Sequence, residues 1–213
     1  MEELDLLKKD WKKNENKFPR VSEQEIYAML HKNSTSVVKW IFVISVFEFA
    51  FFLALTLLLN GNTGTKEIES YIGNTMIITI NAIDYAIMVY FFCQFYINYK
   101  KITTTDRVKN LMSSIIKTRK TVSNYIFVKI TFTVILLIYI FIIYFNNEPE
   151  MLHTRLVAEQ QGRTAIVNIV YFALVILGIA IFATLLWLLY RLIYGMLLKR
   201  LNKNYNELKK INL

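Results

Sequence analysis

Apolar residues in this chain run in four long blocks, at residues 37–59 (VVKWIFVISVFEFAFFLALTLLL), 72–98, 124–146 and 164–195. A hydrocarbon layer of about 30 Å needs roughly 20 residues of apolar helix to cross it. Each block is long enough, so the pattern predicts four membrane-spanning helices. Two polar stretches, NGNTGTKEIESY from Asn60 and NNEPEMLHTRLVAEQQGRT from Asn146, read as solvated connectors, the second holding a short helix over 150–160.

Outside the blocks the period changes to that of amphipathic helices. Leu4, Leu7 and Trp11 form an i, i+3, i+7 stripe in EELDLLKKDWKK, the spacing of one helix face. After a break at NENKFPR, Ser22 and Glu25 make an S-x-x-E capping box that opens a second helix. The inner face expected of that helix is Ile26, Met29 and Leu30. Between the second and third blocks a cytoplasmic helix over 104–122 is predicted, with Val108, Leu111, Met112 and Ile115 on one side and Arg107, Lys109, Asn110, Lys117 and Lys120 largely on the other. Past the fourth block the stripe continues through Leu197, Leu201, Tyr205 and Leu208 without a breaker. The organisation read from the sequence is an N-terminal helical segment (1–35), a four-span bundle (36–195) and a basic helical extension (196–213). The fold class is all-α, an integral membrane four-helix bundle with cytoplasmic amphipathic helices.

Composition agrees: of 213 residues 55% are hydrophobic and 15% aromatic, with six glycines and two prolines. Charge adds direction. Of the 25 Lys and Arg residues, 22 fall in 1–40, 99–129 and 191–213, leaving Lys66, Arg155 and Arg163 on the other side. Cytoplasmic loops carry such an excess, which predicts an inner-membrane protein of a bacterium with both termini in the cytoplasm. The net charge of +9 then faces anionic lipid headgroups, and no direct nucleic-acid partner is required. Residues 1–30 hold neither an apolar h-region nor a small-residue cleavage site, so the first span is expected to serve as the insertion signal.

Chemistry is sparse. Cys93 is the lone cysteine and reads as a small packing residue. His31 and His153, the two histidines, lie on opposite sides of the predicted membrane. No G-x-S-x-G, phosphate loop or H-E-x-x-H is present, so the expectation is a non-enzyme with no metal or cofactor.

The informative residues are polar ones inside the spans. A charge at the bilayer centre costs at least ~2.5 kcal/mol on insertion scales, and Glu48 sits about 13 Å from the inner edge of its span by helical rise. Ser45 and Thr56 share its face. Asp84, roughly 19 Å in, shares a face with Asn74 and Asn81, and Lys129 lies about 6 Å in. The expected arrangement pairs Glu48 with Lys129 and leaves Asp84 protonated and hydrogen-bonded within the bundle. Read structurally, these groups are polar glue that fixes helix register; read functionally, they couple protons or cations. In having four helices and a glutamate midway along the first, the chain is similar to small multidrug-resistance transporters.

The opening MEELDLLKKDWKK, with EIYAMLHKNS and VVKWIFVISVFEF after it, resembles a family of small uncharacterised membrane proteins of Bacteroidota. Members are often encoded beside extracytoplasmic-function sigma factors. Some carry a carotenoid-oxygenase label, which requires four histidines and does not fit this chain. The resemblance implies a sigma-factor partner, with this protein as a membrane-tethered anti-sigma factor or an accessory to one. The zinc-type anti-sigma motif is missing. Two expectations therefore stand. In the first, Leu4, Leu7, Trp11, Ile26, Met29 and Leu30 bind a cytosolic partner. In the second, the chain is a small proton-coupled transporter using Glu48 and Asp84. Self-association into a homo-oligomer is compatible with both.

Overall fold

A computed structural model describes residues 22–59, 63–105 and 107–211. The described residues form six helices and no strand: α1 (Glu23–Leu59), α2 (Thr63–Ile72), α3 (Asn74–Thr103), α4 (Val108–Asn147), α5 (Pro149–Gln160) and α6 (Thr164–Ile211). Four of them, α1, α3, α4 and α6, are long and apolar enough to cross a membrane. They close a square in which α1 packs on α3, α3 on α4, α4 on α6 and α6 back on α1. Helices α1 and α4 lie across its diagonal.

Local chemistry sets the ends. The capping box at the start of α1 is formed in both directions, Ser22 N–H donating to Glu25 Oε2 at 2.9 Å and Glu25 N–H to Ser22 Oγ at 3.2 Å. Helix α3 stops where three threonines turn their hydroxyls back on the preceding turn: Thr103, Thr104 and Thr105 donate to the carbonyls of Tyr99, Lys100 and Lys101. Such bonds compete with the backbone ladder and favour a break. Pro149 opens α5 at its first turn, where its missing N–H is not needed. Gly162, at φ 65°, closes α5 in a Schellman turn, with Arg163 N–H on the Ala158 carbonyl and Gly162 N–H on that of Glu159.

The separate cytoplasmic helix expected over 104–122 is instead the first part of α4, which runs unbroken from Val108 to Asn147. The helix opened at Ser22 likewise continues through the first apolar block. Neither stretch contains a glycine or proline to stop it. In the first connector, read as a solvated loop, the ten residues of α2 form a helix that packs on α3 and α4; docking supplies what a short helix lacks in isolation.

Buried residues concentrate at the end carrying most of the basic side chains, hereafter the basic end. There Val38 and Ile41 of α1, Phe95 and Ile102 of α3, Leu111, Ile115 and Val122 of α4, and Leu201 and Leu208 of α6 are essentially inaccessible. The stripes 108–115 and 197–208 thus pack on one another. Polar contacts pin the same region: His31 Nε2–H donates to the Ile102 carbonyl at 2.9 Å, Asn98 to Thr121 at 3.1 Å, and Asn204 to Ser34 at 3.0 Å while accepting from Asn33 at 3.2 Å. Towards the other end the apolar faces turn outwards, and only 6–11% of the most apolar window of each long helix is buried. Side chains such as Leu58, Ile169 and Ile176 are largely exposed, as an apolar solvent would require.

Two expectations about faces change. Met29 is exposed, whereas Ile26 and Leu30 pack into the core. The buried stripe runs Ile26, Leu30, Ser34, Val37, and Met29 falls off it. Cys93 is exposed rather than a packing residue, since Phe91 and Phe95 take the inward positions on either side of it.

Candidate functional site

Where the packed half ends, each of the four long helices contributes a polar side chain to one layer. Glu48 of α1 accepts hydrogen bonds from two phenols of α6, Tyr190 at 2.6 Å on Oε1 and Tyr194 at 3.2 Å on Oε2. The two tyrosines stand one turn apart with their rings stacked, 6.1 Å between centroids. Tyr125 of α4 meets both rings edge-on at 6.0 and 6.2 Å, and its hydroxyl lies within electrostatic reach of Glu48. Phe91 and Phe95 of α3 pack against Tyr125 on its other side. Aromatic side chains therefore wall the carboxylate while their hydroxyls solvate it, which makes the charge-assisted bonds stronger than they would be in water.

The second half of the layer is an ion pair. Lys129 Nζ of α4 lies 2.5 Å from Asp84 Oδ1 of α3, and its ammonium also stands over the Phe52 ring, 5.1 Å from the centroid. The lysine side chain is 6% exposed and that of the aspartate 25%. The pair borders a cavity of about 240 Å³ lined with Asn81, Asp84, Lys129, Thr133 and Tyr190 among apolar walls that include Phe52 and Leu186. Tyr190 faces this cavity and also a groove of about 430 Å³ beside Glu48. One phenol thus connects the lone carboxylate to the ion pair.

The expected partner of Glu48 is not the observed one. Lys129 pairs with Asp84, and Glu48 is held by tyrosines. The reason is the order of helices: α4 adjoins α3 and lies diagonally from α1, so the Lys129 side chain meets Asp84 first. Asp84, expected to hydrogen-bond within the bundle apart from Lys129, is instead the partner of that lysine. Asn81 lines the same cavity as Asp84. Ser45 is buried but donates to the Phe42 carbonyl of its own helix at 2.7 Å, and does not join the layer. Thr56 accepts from Tyr85 at 3.1 Å, tying α1 to α3. Tyr125, Tyr190 and Tyr194 escaped the sequence reading; the i, i+4 pair Tyr190 and Tyr194, at the end of the fourth apolar block, was the available signal.

Of the residues expected to bind a partner, Leu4, Leu7 and Trp11 lie outside the described residues. Ile26 and Leu30 are occupied within the bundle and Met29 stands exposed beside them.

The layer also marks a change in how the helices associate. Between it and the basic end, α1 and α3 are joined to α4 and α6 by the bonds of Asn204, Asn98, Glu48 and Lys129. Beyond it Phe49–Tyr85 and Thr56–Tyr85 join α1 to α3 as one pair, and Phe145–Tyr171 and Tyr171–Phe141 join α4 to α6 as the other. There the two pairs are bridged through α2, whose Tyr71 donates to Glu148 at 3.1 Å.

No curated protein and no solved structure matches the chain. A family model described as "Domain of unknown function (DUF8845)" matches residues 24–213, which takes in all four long helices and every member of the polar layer. The chain belongs to the DUF8845 family.

Proposed function

We propose that the protein is a non-enzymatic, multi-pass protein of a bacterial inner membrane that works as a small proton-coupled transporter, its basic end in the cytoplasm. The observation that carries this reading is the polar layer itself: four helices bring a carboxylate, an ion pair and three phenols together, the ion pair and Tyr190 bordering a cavity with largely apolar walls. Ionisable groups inside a membrane are expensive and mark ion or solute pathways. Packed side chains close the layer towards the basic end, while the cavity beside it extends the other way, between Phe52 and Ile80 on one side and Leu136 and Phe182 on the other. This is the asymmetry that alternating access requires, with the two pairs rocking about the shared floor. Glu48 is the proton carrier in this reading. Tyr190 hands its hydrogen bond between Glu48 and the cavity, and Asp84–Lys129 orients a small polar or cationic solute. Wild type and Glu48→Gln in liposomes test it: an imposed pH gradient should drive dye-detected proton flux through wild type and little through the variant. Equal flux in both would remove the reading.

A second reading is a membrane tether for a cytosolic partner, a sigma factor in the sense of an anti-sigma protein or an accessory to one. It is favoured by the i, i+3, i+7 stripe of Leu4, Leu7 and Trp11 in the sequence, which falls outside the residues matched by the family model. Affinity purification of wild type beside a Leu4/Leu7/Trp11 triple-alanine variant tests it, with a sigma factor held by the first and lost from the second.

A further inference from the structure

Arg191 stands next in sequence to Tyr190 and outside the polar layer. Its guanidinium lies over the Trp187 ring, 4.9 Å from the centroid, and the residue is exposed on the outer face of α6. None of the ion pairs among the described residues includes it. It sits four residues, roughly 6 Å of helix, from the end of the fourth apolar block at residue 195, among the basic side chains of the basic end. A lipid-exposed guanidinium there reaches towards the headgroup layer along its stem and calls for an anion.

The structure provides a place for the anion. Arg191 lines a groove of about 520 Å³ between α4 and α6 whose other walls include Ser123, Thr131, Ile130, Trp187 and Gly195. Its polar wall residues are Arg191, Ser123, Thr131 and Tyr190, the last shared with the Glu48 layer. A methyl group at Gly195 would meet the Arg191 stem at 3.6 Å, an ordinary contact. Towards the basic end α4 and α6 are bridged by Arg119 Nη1 donating to Asn202 Oδ1 at 2.8 Å.

From this charge complementarity we infer that the α4–α6 groove is a binding site for an anionic phospholipid, its phosphate on Arg191 and the Ser123 hydroxyl and an acyl chain along Ile126, Phe127 and Ile130, further from the basic end. The guanidinium fork matches phosphate oxygens in two-point geometry that a lysine does not offer. Ser123 supplies a donor of the kind a phosphate accepts. The apolar walls match a hydrocarbon chain, and the groove opens on the face that meets lipid. The groove adjoins the Glu48 layer through Tyr190, but its existence does not depend on transport.

Native mass spectrometry of the full chain tests this, with the protein exposed to equimolar phosphatidylglycerol and phosphatidylcholine of matched acyl chains. Wild type should retain the glycerol lipid preferentially, and Arg191→Gln should lower that preference about fivefold, the weight of one basic residue facing an anionic headgroup. Lys209→Gln/Lys210→Gln, at the far end of α6, should leave it unchanged. Gly195→Leu fills the groove with every charge retained and should also lose the retained lipid, so the test does not rest on the arginine variant folding well. Equal retention of both lipids by wild type, or retention unaffected by Arg191→Gln and Gly195→Leu, would overturn the site. So would a wild-type dimer that Arg191→Gln dissociates while lipid retention stays constant, because the anion would then belong to a second copy.

Discussion

The two ends of the bundle are built on opposite principles. Towards the basic end, four helices extend their apolar stripes and close them on one another as a water-soluble bundle does, with Ile41, Ile115 and Leu201 fully inaccessible and asparagines bonded across the helices. Towards the other end, the same helices turn Leu58, Ile169 and Ile176 outwards. In the first region burial against protein holds the structure. In the second an apolar solvent takes over, since lipid tails are as apolar as leucine and provide no hydrophobic drive between helices. The polar layer lies at the junction.

Five single substitutions and one double variant would break or sharpen this contrast. The largest effect belongs to Lys129→Leu, which strands Asp84 without its cation: thermal unfolding in detergent should show a loss of about 3 kcal/mol or more, and Asp84→Leu/Lys129→Leu should recover most of it, as breaking a buried pair costs more than replacing it. Next, Leu201→Ala should cost about 2–4 kcal/mol, whereas Ile176→Ala, on the outward face, should stay within about 0.5 kcal/mol. Comparable losses at the two positions would mean that the second region is packed as tightly as the first. Glu48→Gln keeps an acceptor for one phenol and gives up charge-assisted bonding, so about 1–2 kcal/mol should be lost with the fold intact, by the same unfolding assay. Smallest is Ser34→Ala, which removes the acceptor of Asn204 and should cost about 1 kcal/mol.

The sequence displays this division unevenly. Runs of apolar residues without Gly or Pro gave the four long helices, and the Ser22–Glu25 box gave the start of α1, because both depend on local chemistry alone. Stripes such as Leu111/Ile115 and Leu201/Leu208 also disclosed which faces seek cover. Pairing inside the membrane was different. Depth along a helix can be counted from sequence, but which neighbour a side chain meets depends on the order of helices around the square. That order sent Lys129 to Asp84 instead of Glu48. The tyrosines stayed hidden for a related reason: a phenol near the end of an apolar block serves equally well at an interface or as a ligand to a carboxylate, and only the proximity of α1 to α6 decides. In α2 (TGTKEIESYI), docking on α3 and α4 supplies what a ten-residue helix lacks alone.

The most direct test of the central idea, that the polar layer is the floor of a pocket open towards one side only, is cysteine accessibility in membranes. In a Cys93→Ser background, Thr133→Cys beside the cavity and Ile115→Cys in the packed half would be exposed to a membrane-impermeant maleimide from the side opposite the basic end. The account predicts that Thr133→Cys is labelled and Ile115→Cys is protected. Protection of both would contradict it, leaving a closed bundle in which the polar layer serves only as internal glue.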